Sequence, residues 1–404
     1  MKLKRGARLL ASLAIIGTGV AVLSSGPVGL ASAASKSPII IGNEADLTGN
    51  ATVGIPGNYG VQFAVKQINA HGGIDGRKLK LVTADSQGSA TGGIAAVRQL
   101  IESDHASIIV NTSSSDAAVP SLPIVQAARV PIIVSAASDP AIILPSNTYV
   151  YMSPAVPVNR DVVAYLNYIK KAGYKSVALI YDTAAFANAA VQDFQDDAPA
   201  DGITLSTVQS FAYGTTDFSS QISAAQSSGA QAVFVIGDFI GSVLHQARQV
   251  GYNAPFMYDA SATDPLLITS LGNSVANGLV SFQTQATQLL DATTPPMTKW
   301  VREFKAAFPS APSGVPSQFS LEGYEATFVA ADALTLTLSH HKSPTGANLQ
   351  KALNSIHGFV EGKTAFKYAV PIAYPVTFTA SDHAGDHTIT PVVVKNGLWV
   401  PIGK

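Results

Sequence analysis

Three consecutive serines, Ser113, Ser114 and Ser115, and then Asp116, follow directly on the apolar run ASIIV in the segment NTSSSDAAVP. Serine hydroxyls donate hydrogen bonds, and a helix start presents unpaired backbone N–H groups at the positive end of its dipole. A serine cluster between a strand and a helix therefore suits an anion such as a carboxylate. The strand VPIIVSA runs into a second segment of the same kind, SAASDP, where Ala136 and Ala137 offer backbone groups and Ser138 a hydroxyl. Either segment alone reads as ordinary helix capping. Two of them on neighbouring strands point to a binding site.

Such loops need a frame that brings strand ends together. From residue 38 the chain alternates short β-rich runs with helical stretches: PIIIGN, a helix around NYGVQFAVKQINA, KLKLVTAD, a helix through IAAVRQLIES, ASIIV, a helix through VPSLPIVQAA, and VPIIVSA. The strands are almost continuously apolar, which implies burial on both faces and hence a parallel sheet between helix layers. A second series of the same form follows Pro154, including SVALIYD, a helix from Asn188, ITLSTVQSF, QAVFVIG and PFMYD. The fold expected is α/β, with two doubly wound, Rossmann-like lobes. In such sheets ligands bind beyond the carboxyl ends of the strands, where both serine segments lie.

Bulk composition narrows the partners. The 404 residues exceed one ordinary core, charged residues are only 13%, and the formal net charge is -1, so no basic field exists to hold nucleic acid or anionic lipid. A small-molecule ligand is the expectation, with no cofactor. Residues 1–33 read as a secretory signal peptide: Lys2, Lys4, Arg5 and Arg8 precede an apolar stretch from Leu9 to Leu23 that is short for a membrane span, and Ala31 and Ala33 suit cleavage. The chain has no cysteine, so neither disulfides nor a lipidated N-terminal cysteine is expected, and the mature protein should be periplasmic or secreted.

INAHGGIDGRKLKLVTADSQGSATGGIAAVRQLI, residues 68–101, resembles the periplasmic leucine/isoleucine/valine-binding proteins, the type I solute-binding components of ABC importers. The likeness continues through SSSDAAV, VPIIVSAASDP, SVALIYDTAAFA, DFSSQI, HQARQVG, PFMYDA and NGLWVPI. It implies a Venus-flytrap fold whose lobes are joined by three crossings, near residues 154–159, 281–285 and 376–388. The N-terminal lobe would hold 37–155 plus 285–376, and the C-terminal lobe 156–284 plus 377–404. It also implies an amino acid or related carboxylate in the interlobe cleft, handed to ABC permease subunits by lobe closure, and a monomer without enzymatic activity.

On that resemblance Ser113, Ala136 and Ser138 hold the ligand's α-carboxylate and ammonium. Phe186 in DTAAFANAA stands where the family usually has a tyrosine that closes over the ligand, and Asp259, or Ala260 one register on, stands where an acidic residue meets the ammonium. Asp238 and Phe239 in GDFIG lie at an adjacent strand end, and Phe319 is a candidate wall. Val53 falls where some members have a tyrosine, so a preference for leucine does not follow. Two rival readings stay open: a ligand sensor of the same fold, and a hydrolase using a cleft serine. Ser113 sits in no G-x-S-x-G elbow, which disfavours the latter. HAGDH, with His383 and His387, reads as a turn and not as a metal set.

Overall fold

In the computed structural model residues 36–49, 51–237, 240–262, 265–284, 294–312, 315–359, 376–385 and 389–403 are described. The signal-peptide reading, Asp238, Phe239, Asp386 and His387 lie outside them. Five strands form the first sheet: β1 (Ile39–Ala45), β2 (Leu79–Asp85), β3 (Ile108–Thr112), β4 (Ile132–Val134) and β5 (Val150–Met152), in the order β2-β1-β3-β4-β5. All the pairings are parallel, so every carboxyl end opens on the same edge. Helices α1 (Ala51–Ala70), α2 (Ala90–Arg98) and α3 (Ser115–Ala128) connect the first four strands.

The second sheet is built from β6 (Ser176–Asp182), β7 (Thr204–Phe211), β8 (Ala232–Ile236), β9 (Phe256–Tyr258) and β10 (Val280–Thr284), all parallel. Between them run α4 (Val158–Lys171), which precedes β6, then α5 (Ala185–Asp197), α6 (Ser219–Ser227), α7 (Ile240–Gln249), α8 (Pro265–Leu271) and α9 (Asn273–Ala276). Three further helices follow: α10 (Pro295–Ala307), α11 (Gln318–Ser339) and α12 (Gly346–Leu353). They pack not on this second sheet but with α1, against β1 and β3. The short pair β11 (His357–Phe359) and β12 (Val376–Thr377) lies beside them; β13 (Ile389–Lys395) then adds antiparallel to β10, and β14 (Leu398–Pro401) antiparallel to β13. Each sheet is thus enclosed by apolar layers on both faces, as its unbroken apolar strands require.

Helix α1 starts at Ala51, seven residues before the Asn58 at which its periodic pattern becomes evident. Its early glycines and Pro56 hide it from a propensity reading. Those glycines serve close packing: a Cβ on Gly60 would run into the Ser320 carbonyl of α11, and one on Gly323 into the carbonyl of Gly57. The α1 and α11 backbones therefore touch. Likewise α5 begins at Ala185, before the Asn188 expected.

The chain passes between sheets after β5. Met152 pairs with the segment near Ala384, its N–H donating to His383 O at 2.9 Å and its carbonyl accepting from Gly385 at 2.8 Å. Arg160 at the start of α4 meets both carboxylate oxygens of Asp382 at 3.1 Å. His383 stacks on Tyr151, with ring centroids 4.3 Å apart, and its Nδ1 lies 2.9 Å from Val150 O. Burial holds its pKa below the ordinary value. This imidazole is a packing element.

Candidate functional site

The carboxyl ends of β1, β2 and β3 are tied together by two aspartates. Asp46, just past β1, accepts hydrogen bonds from Ser86 Oγ at 2.5 Å and the Gly88 N–H at 2.9 Å on one oxygen, and from the Ser114 N–H at 2.8 Å on the other. Asp85, at the end of β2, accepts from the N–H groups of Leu47, Thr48 and Gln87 and from the Thr48 hydroxyl. Desolvation opposes ionisation there, yet these donors hold the Asp85 carboxyl below its usual value. Three loops are fixed by these two side chains.

Beneath them Glu44 is fully buried. Asn111 Nδ2 donates to its Oε2 at 2.9 Å and to Ser113 Oγ at 2.7 Å. Burial pushes the Glu44 carboxyl up to about 8, against the Asn111 hydrogen bond and with the charge of Asp46 adding to the rise. Ser113 belongs to this network: its side chain is wholly buried, its oxygen lies 3.5 Å from Glu44 Oε1, and it does not border the cleft. The reason is geometric. Neighbouring residues on extended backbone face opposite ways, so Ser113 turns inward and Ser114 outward.

A cavity of about 480 Å³ opens above these loops. Ser114, Ala136, Ala137, Ser138 and Phe186 all border it, as do Val53 and Phe319. Ser114 is the N-cap residue of α3, yet its side chain makes no capping bond and its buried Oγ has no hydrogen-bond partner among the described residues. Ser115 Oγ instead accepts from the N–H groups of Ser138 at 3.1 Å and Asp139 at 3.2 Å, which joins the two serine segments seen in the sequence. From the second sheet come Thr183, Ala184, Tyr213 and Ser261. The two sides meet where the Ala185 N–H, in the first turn of α5, donates to Asp116 Oδ2 at 3.3 Å. Burial raises the Asp116 pKa.

Asp259 does not reach the main cavity. It borders an adjoining recess of about 70 Å³, together with Asp161 and Tyr165 of α4 and Gln318 and Glu322 of α11; Ser138, Phe186 and Phe319 border both spaces. The Asp259 carboxylate already accepts from the Gly237 N–H at 2.8 Å, the Ser261 N–H at 2.9 Å and Ser261 Oγ at 2.5 Å. Burial lifts its pKa to about 7 against those donors. Gly237 is required here, since its φ is 131° and a Cβ would collide with the Asp182 carboxylate. The register alternative, Ala260, also borders the recess.

A profile of the family described as periplasmic binding protein matches residues 38–397. The chain belongs to that family. This periplasmic binding protein is 26% identical over 369 residues to Leu/Ile/Val-binding protein homolog 7 of Brucella abortus, covering 88% of each chain. It is also 26% identical over 268 residues to a Pseudomonas aeruginosa protein named amino acid binding protein, covering 65% of this chain and 71% of the other. Among solved structures, a branched-chain amino acid ABC transporter protein from Thermus thermophilus with bound valine superposes with a TM-score of 0.79 at 19% identity, covering 92% of this chain and 96% of that one. At that identity the likeness establishes the type I fold and no more.

Sequence reasoning missed Tyr213, Ser261 and Glu322. Only Glu322 carried a usable signal: it stands three residues after Phe319 in a helix, so the two share a face, and a lone acid beside a proposed cleft aromatic is worth following.

Proposed function

We propose that this periplasmic binding protein captures an amino acid in the cavity between its two sheets and delivers it to an ABC permease, without chemical turnover. The observation that carries the reading is the orphaned Ser114 hydroxyl at the uncapped N-terminus of α3. Buried hydroxyls without a partner are rare, and a carboxylate there would receive the hydroxyl and the helix's positive end together. Ser138, across the cavity's floor, supplies a second donor. The ammonium then points to the recess, where Asp259 has one acceptor position to spare. Relatives named for amino acid binding support the same class of ligand.

Closure follows from a ligand touching both sides. Only contacts from both lobes stabilise the closed form over the open one, and the permease would read that difference. The lobes we assign are 37–155 plus 285–376 and 156–284 plus 377–404, acting as a monomer after export and cleavage near Ala33. No described helix is long and apolar enough to cross a membrane. The test is a thermal-shift screen of the mature protein over amino acids, amides and aromatic acids, repeated with Ser114→Ala. An amino acid should raise the melting point, because it binds only the native state, and the variant should blunt that rise. A panel in which amides stabilise and amino acids do not would overturn the reading.

A further inference from the structure

The recess behind the cavity carries more acid than one ammonium needs. Its volume, about 70 Å³, exceeds the roughly 10–15 Å³ that suffices for one water, so several heavy atoms fit. Asp161, Asp259 and Glu322 face it, and no lysine, arginine or histidine does among the described residues. Asp259 is held by Gly237 and Ser261, and Asp161 also interacts within the protein. Glu322 differs. It is 5% exposed, it borders the recess, and no hydrogen-bond or ion-pair partner reaches its carboxyl among the described residues. Burial alone pushes it up to about 8.

A buried carboxyl left without donors is costly unless the occupant of the space brings them. A metal ion is a poor candidate, since no group of three His, Cys, Asp or Glu among the described residues is placed to hold one. An organic cation with spaced N–H donors suits the arrangement, and the apolar walls from Val156, Val158 and Phe319 suit the methylene stem that carries such a group. We infer, resting on the amino-acid reading above, that the recess receives a second cationic nitrogen and that Glu322 selects for it, so the cargo is a diamino or guanidino acid.

Calorimetry on the mature chain near neutral pH decides this with lysine, ornithine and arginine set against leucine, norleucine and citrulline. Norleucine is lysine without the terminal nitrogen, and citrulline is arginine without the charge. At least one basic acid should bind about tenfold or more tightly than its uncharged counterpart, and Glu322→Gln should abolish that gap while holding the uncharged ligands within about threefold. Glu322→Asp, which keeps the carboxyl but withdraws it, should give an intermediate gap and serves if the glutamine variant does not fold. Equal affinity for lysine and norleucine overturns the inference and leaves amino-acid binding standing. A Glu322→Gln loss shared equally by both also overturns it, by assigning Glu322 to the α-ammonium. If no amino acid binds, the parent reading falls and takes this one with it.

Discussion

Two groups of buried acids lie about the cavity and its recess, and they are not alike. Below the floor, Glu44 and Asp46 are surrounded by donors: Asn111 on one, Ser86, Gly88 and Ser114 on the other. In the recess, Glu322 is also buried and its pKa is pushed equally high, yet no donor among the described residues meets it. Burial raises a carboxyl's pKa wherever it occurs, so the shift does not separate scaffold from site. The supply of donors does. Floor acids accept from neighbouring side chains and loop backbone, whereas the recess keeps an acceptor for a guest.

The sharpest break of this contrast is Asp46→Ala. It strands the Ser86 hydroxyl and two backbone N–H groups and should cost about 3 kcal/mol in urea unfolding, with ligand affinity falling too as the Ser114 loop loosens. Glu322→Gln should act in the opposite direction, gaining on the order of 2 kcal/mol for the ligand-free protein at pH 8 and nothing near pH 4. The sign follows from protons. With a folded pKa raised above the unfolded value of 4.5, the native state binds more of them between 4.5 and about 8, so wild-type stability falls as pH rises through that window. Glu44 and Asp259 contribute the same slope, which the Glu322 variant should therefore reduce and not erase. Asp259→Asn should weaken amino acids more than plain carboxylic acids, and equal losses in calorimetry would remove it from the ammonium. The smallest effect expected is from Ser138→Ala, about 1 kcal/mol off every carboxylate ligand with the melting point unchanged.

Much of the fold was readable because continuous apolar strands and intervening helical periods admit few architectures. The loops at the ends of β3 and β4 were readable for the same reason, as both parallel sheets open in one direction. Which serine of the run faces the cleft was not. That depends on the dihedral at the strand's last residue, and it separates Ser114 from Ser113. Asp259 was visible as an acid at a strand end, but its three donors come from Gly237 and Ser261, whose approach depends on how two strand ends meet. Glu322 shares a helix face with Phe319, but its surroundings masked that signal. In a helix buried along most of its length, an acid reads as an interruption of the core until the cavity beside it is known.

The contact between α1 and α11 at Gly57, Gly60 and Gly323 has an evolutionary corollary. Backbones that abut without side chains between them form a dovetail joint, and such a joint fixes where the first turns of α11 present residues 319 and 322. New preferences can then arise by swapping those two side chains on an unchanged chassis, which makes this wall of the protein an interchangeable faceplate.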